Sequence, residues 1–308
     1  MNADQSRGCA CTSWLAVLVA GSLGFQASAR PNAVGSSMGS AEIRFVSAFD
    51  ADPDPTGEAA APPSAGGVGD VDLAKKLSNP VASLISVPFQ FNYDEGYGPK
   101  DAERVTLNIQ PVIPFSLTED WNLIVRTIVP VIYQGSLAQA VDSEFGLGDT
   151  LQSFFFSPKE PVGGWILAFG PVALWPTGTD PLLRSEQLGL GPTALALRQD
   201  GGWTYGVLAN HLWGVNHSDD HADVNTTFFQ PFVSYTWSSA TTLALNTENA
   251  YDWTADQWTV PINLVLSQLV TLDRQPVQFF IGGRYYAESP DSGPEWGIRF
   301  GFTLLFPR

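Results

Sequence analysis

The sequence predicts an all-β protein: a transmembrane antiparallel up-and-down β-barrel of about 12 strands, preceded by a disordered N-terminal leader. Three observations carry this. Charged residues make up 15% of the 308-residue chain and aromatics 12%, with ten tryptophans, yet the mean hydropathy is only +0.01. A typical soluble domain is about 25% charged. No apolar run approaches the ~18 residues of a membrane-spanning helix, so an apolar exterior has to come from alternating strands. Finally, about twelve alternating segments follow one another from residue 83 onwards, joined by connections that are alternately long and short.

Residues 1–29 read as an export signal, with Arg7 ahead of the apolar stretch WLAVLVAGSLGF and the small-residue site Ala27-Ser28-Ala29. Cys9 and Cys11 precede that stretch and leave with it, so neither a disulfide framework nor a thiol site is expected. Residues 30–72, which include DADPDPTGEAAAPPSAGGVGD, cannot bury enough apolar surface to offset chain entropy and read as a flexible periplasmic leader. Within them, IRFVSAF (43–49) has the apolar content of a short strand or a sticky patch. DLAKKL (72–77) predicts a brief helix that Asn79-Pro80 stops. The barrel domain is expected over 73–308.

The expected strands are 83–93, 104–115, 121–133, 147–157, 164–176, 188–199, 203–214, 225–237, 241–252, 258–270, 276–287 and 295–306. A tilted bilayer-spanning strand needs about 9–11 residues, whereas globular strands more often run about 5–6. Alternating short turns and longer loops put both termini on the periplasmic side, as an even strand number requires. Tryptophan and tyrosine gather near strand ends (Tyr93, Trp121, Tyr133, Trp165, Trp175, Trp203, Trp213, Trp237, Trp258, Trp296), where interfacial girdles sit. Prolines 88, 111, 114, 130, 171, 192, 231 and 261 remove ladder donors and predict bulges or kinks in the wall.

The last segment, EWGIRFGFTLLFPR, shows the two faces plainly. Trp296, Ile298, Phe300, Phe302, Leu304 and Phe306 form an apolar face expected to meet lipid, while Arg299, Gly301 and Thr303 turn to the lumen. Arg299, Gly301, Leu304 and Phe306 also match the signal by which the barrel assembly machinery recognises last strands, although Pro307-Arg308 follow the usual terminal aromatic and are expected to fray.

Three longer stretches, LAKKLSNPVASLISVPFQFN (73–92), LNIQPVIPFSLTEDWNLIVRTIVPVIYQ (107–134) and GLGDTLQSFFFSP (146–158), resemble the bacterial outer-membrane family labelled MetA-pathway of phenol degradation proteins, a transporter-like group. The resemblance covers roughly 73–308. It implies an outer-membrane barrel concerned with passage of small, aromatic compounds, and it brings no catalytic residues.

The inward faces are expected to present Gln90, Asn108, Gln110, Arg126, Gln230, Asn246, Glu248, Asn263, Gln278, Arg284 and Arg299 as pore-lining residues. The competing reading has Arg126, Arg284 and Arg299 pairing with Glu248 or Asp149 merely to fill the interior. Some inward faces are apolar: Ile124, Ile128 and Ile132 flank Arg126, and Ile166, Ala168, Val172 and Leu174 share a face. His217, His221 and Asp223 form the one metal-like cluster, read as a solvated acidic loop, so no metal and no cofactor are expected. His211, Ser153 and Ser234 lie on separate strands with nothing to bring them together, and no enzymatic activity is expected. The net charge of −16 argues against nucleic acid. The expected partners are therefore the lipid bilayer, the barrel assembly machinery and small-molecule solutes. The expected function is an outer-membrane passive channel or transporter for small solutes, aromatic or hydrophobic ones included. The alternative is a closed structural or adhesive barrel with acidic extracellular loops.

Overall fold

The structure is a computed structural model that describes residues 68–139, 141–215 and 223–306. The export signal, residues 30–67 of the leader, His217, His221 and the Pro307-Arg308 tail lie outside the described residues. A helix, α1 (Val68–Leu77), precedes a single antiparallel sheet. Its first strands are β1 (Ile85–Tyr97), β2 (Ala102–Ile109), β3 (Val112–Ser116), β4 (Trp121–Gln134), β5 (Glu144–Leu147) and β6 (Thr150–Pro158). The middle is β7 (Ile166–Trp175), β8 (Gly189–Asp200), β9 (Trp203–Gly214) and β10 (Asn225–Thr236). The last third is β11 (Thr241–Thr247), β12 (Asn249–Asp252), β13 (Gln257–Leu272), β14 (Gln275–Glu288) and β15 (Trp296–Phe306). Because β2–β3, β5–β6 and β11–β12 are each one interrupted wall strand, the wall has 12 strands. Strand β15 pairs with β1 from Ile85↔Phe306 to Glu95↔Trp296, which closes the barrel.

The interruptions have a local cause. Pro111 has no N–H to give the ladder, so β2 ends before it, and its carbonyl accepts from Thr127 (3.0 Å) instead. The wall also loosens where Pro171 of β7 faces Pro192 of β8. Pairing of β6 with β7 lapses between Ser153↔Val172 and Phe156↔Phe169, and that of β8 with β9 between Leu190↔Trp213 and Thr193↔Asn210. Glycine is required there: a Cβ on Gly170 or Gly191 would run into the carbonyl of Phe154 or His211.

Period-two alternation sorts the side chains. Phe279, Ile281 and Tyr285 of β14 are exposed, whereas Arg284 and Tyr286 on the other parity are buried. All nine tryptophans among the described residues are exposed. Trp203, Tyr235 and Trp237 stack edge-on at the short-turn end, and Tyr251, Trp253 and Trp258 cluster at the long-loop end. These are the two girdles of a membrane barrel, and the band between them is the lipid-facing surface.

Helix α1 lies at the short-turn end, against the inside of the wall. It begins at Val68, four residues before the start expected from sequence, because it docks. Ala74 is fully buried with Ala82, Leu84, Ala240, Leu269 and Leu305. Its polar contacts reach separate parts of the wall: Thr271 donates to Asp70 Oδ1 (3.2 Å) and Gln199 of β8 to the Lys75 carbonyl (2.8 Å). Asp70 near its N-terminus and Lys75 and Lys76 near its C-terminus suit the helix dipole. Beyond Lys76 the chain turns on Asn79, whose Oδ1 accepts from the Val81 N–H (3.0 Å).

Ile281 and its neighbour Leu266 on β13 are both exposed near mid-strand. An Ile281→Arg or Leu266→Arg substitution is expected to lower stability by about 2–4 kcal/mol. Urea unfolding in lipid vesicles checks this, and an unchanged midpoint would mean that this face does not meet the hydrocarbon.

Candidate functional site

The barrel interior has two chemically different halves. Strands β4 to β9 turn two apolar clusters inward, parted by Arg126, Ser153, Thr193 and Asn210. Ile124, Phe155, Ala168, Leu195, Leu197 and Leu208 form one buried cluster, with Val81 and Val112, and the inward Phe228 and Phe232 of β10 pack on it. Ile128, Leu151, Val172, Leu174, Leu212 and Val224 form another, nearer the long loops. Of the inward apolar residues expected on β4 and β7, Ile124, Ile166 and Ala168 join the first cluster and Ile128, Val172 and Leu174 the second.

The opposite half, from β11 round to β2, is charged. Glu248 sits at the break between β11 and β12, where it receives a two-pronged hydrogen bond from Arg299 of β15: Nη1 to Oε1 at 2.8 Å and Nη2 to Oε2 at 2.9 Å. Arg284 of β14 forms an ion pair with Asp94 of β1 (2.9 Å) and approaches Glu248 Oε2 (3.6 Å). Asn92 ties the two arginines together, its Oδ1 accepting from Arg284 Nη1 (3.1 Å) and Arg299 Nε (2.7 Å). Arg284 also donates to the Tyr286 hydroxyl (2.8 Å) and lies over that ring. The side chains of Arg284 and Asp94 are each 3% exposed, so both charges depend on each other rather than on solvent.

The residues singled out from sequence all fall on inward rows, but they are not one cluster. Glu248, Arg284 and Arg299 form the network above. Asn263 donates to Asn246 Oδ1 (2.9 Å), one ladder step from Arg284. Arg126 lies towards the short-turn end and donates to Gln110 Oε1 (3.0 Å). Gln278 donates to Ser267 Oγ (3.2 Å). Gln90 and Gln230 are half-buried, and Asn108 is fully buried with neither amide atom hydrogen-bonded among the described residues.

Two expectations need correction. Among the described residues Asp149 holds no arginine: its carboxylate accepts from the backbone N–H groups of Gly178 (3.0 Å) and Ser185 (2.6 Å), anchoring the loop after β7. Asp94 and Asn92, at the centre of the network, were not among the expected lining residues. Asp94 lies just past the first expected strand, 83–93, although it continues the inward parity of Gln90 and Asn92. His211 faces outward, bonded to Thr227 Oγ1 (2.7 Å) and packed on Trp213, across the wall from the buried inward Ser153 and Ser234. Asp223 Oδ1 accepts from Gln187 Nε2 (3.2 Å). No group of potential metal ligands occurs among the described residues.

No protein-family model matches the chain, and no curated protein matches it in sequence. Its fold is similar to that of an outer membrane channel from Pseudomonas putida F1, with a TM-score of 0.57 and 14% identity over 73% of this chain and 96% of that one. Outer membrane phospholipase A from Escherichia coli is similar at a TM-score of 0.45 and 13% identity, over 71% of this chain and 89% of that one. A porin is similar at a TM-score of 0.35 and 9% identity, over 72% and 99%. The closed 12-strand wall, the apolar outer band and the girdles make this an integral barrel of the bacterial outer membrane. The phenol-degradation label remains a resemblance in sequence stretches. The expectation of no enzymatic activity is withdrawn: phospholipase A barrels are among the similar structures, so this kind of fold does not exclude catalysis, although nothing shows this chain to be an enzyme.

Glu248→Gln leaves Arg299 without its countercharge and is expected to lower stability by about 3 kcal/mol, the low end for a broken buried pair because Glu248 is partly solvated. In urea unfolding, the double variant Glu248→Gln/Arg299→Gln should lose clearly less than the sum of the two single changes. Simple additivity would show that the two do not act as a pair.

Proposed function

We propose that the chain is a passive outer-membrane channel for small organic solutes, aromatic and hydrophobic ones included. The observation that carries this reading is the divided interior. A solute with an apolar body and a polar edge finds the inward surface of β4–β9 on one side and the Asp94–Arg284–Glu248–Arg299 network on the other. Charged groups facing each other across a narrow barrel orient and select a passing solute. The channel from Pseudomonas putida F1, built on the same fold, supports the same reading. On this view Gln90, Asn108, Gln110, Arg126, Gln230, Asn246 and Asn263 line the path, and helix α1 restricts its periplasmic end. Residues 1–29 would direct export, and Arg299, Gly301, Leu304 and Phe306 would serve recognition by the barrel assembly machinery.

A closed structural barrel is the second reading. It is favoured by one observation: Asn92, Asn108 and Asn263 have no solvent exposure. Single-channel recording in planar bilayers separates the two. Small steps are expected from the chain beginning at residue 30, and steps at least twofold larger after removal of residues 30–82, which takes away α1. Cysteines at Asn108, Asn246 and Gln278 should react with a water-soluble reagent. Silence from both forms, with the cysteines protected, would establish the closed barrel.

Phe306→Ala should slow insertion by purified assembly machinery several-fold while leaving spontaneous refolding in detergent unchanged. Equal slowing of both would assign Phe306 to packing alone.

A further inference from the structure

The charges inside the barrel do not balance locally. Arg284 has Asp94 at 2.9 Å and Arg299 has Glu248 at 2.8 Å. Arg126, the third inward arginine, hydrogen-bonds only the neutral amide of Gln110; Glu248 acts on it from a longer range, and no carboxylate of the described residues lies within ion-pair distance of it. A half-buried cation with no carboxylate in contact still attracts an anion.

The space beside it fits that role. A cavity of about 170 Å³ separates Arg126 from the segment that follows α1. Its lining includes Arg126, Gln110, Thr303 and the exposed Lys76, while Val112 and Leu84 supply apolar wall. One Arg126 nitrogen is used by Gln110, which leaves the remaining N–H groups of its planar fork for another acceptor. That fork matches a carboxylate, which it can grip by two parallel hydrogen bonds. Cavities of about 150 Å³ hold one benzene ring. We propose that this cavity is a binding site for a small organic monocarboxylate with a compact apolar body, its carboxylate on Arg126 and its body against Val112 and Leu84. The site names a solute class for the channel proposed above and rests on that reading for its biological use, but binding itself does not require conduction.

Isothermal titration of the detergent-solubilised chain with benzoate tests it, with benzamide and chloride as comparators. Saturable benzoate binding is expected, at least tenfold tighter than that of the uncharged benzamide and not displaced by equimolar chloride. Arg126→Gln should weaken it at least tenfold. Gln110→Glu, which sets a carboxylate beside Arg126 within the protein and so removes the imbalance, should fold normally and also abolish binding. This second variant keeps the test decisive should Arg126→Gln fail to show the heat-modifiable mobility of a folded barrel. No benzoate binding, equal binding of benzamide, equal displacement by chloride, or undiminished binding to either folded variant would overturn the proposal. Binding by a barrel that passes no current would sink the channel reading and leave the site, whereas current without binding would do the reverse.

Discussion

Within the hydrocarbon layer no peptide group can turn to water, so every N–H and C=O of the wall needs a protein partner. The pairing of β15 with β1 removes the last free edge, and the rest of the molecule follows from that closure. A closed wall with period-two alternation commits every second residue to an interior with little room. That interior here carries two apolar clusters over β4–β9 and a charged network on the opposite side. Arginine is usable in such a place only with carboxylates and amides held at hydrogen-bond distance. Asn92, with one oxygen serving two guanidiniums, shows how tightly those partners are shared.

The wall was legible in the sequence because lipid imposes both strand length and alternation, and neither depends on distant contacts. All twelve strands stand where the alternation put them, to within a few residues. Parity alone also placed Arg284, Arg299 and Glu248 on one side of the wall. Composition failed where a tertiary contact outweighs local chemistry. Asp94 sits in a stretch rich in acid and glycine, yet β1 continues through it because Arg284 waits opposite. Helix α1 reaches back into a glycine-rich run because Ala74 docks on Leu269 and Leu305. The partner of Asp149 was misjudged for a similar reason: the loop after β7 folds back onto it, and loop paths carry no periodicity to read.

A barrel fold by itself decides little about chemistry. The chemistry lies in the content of the interior: an apolar flank, a paired charge network towards the long loops, and one arginine without a contacting carboxylate towards the short turns. The first two make the interior amphipathic along its length, and the third gives it a direction.

Helix α1 is held differently from everything around it. The wall is stitched by ladders of backbone hydrogen bonds, whereas α1 is held by a small apolar patch and a few side-chain contacts. A tensile load applied at Val68 would therefore peel the helix out before any ladder shears. Mechanically the molecule is a stiff ring with a softly held stopper, and force on the helix would reach the mouth without distorting the ring.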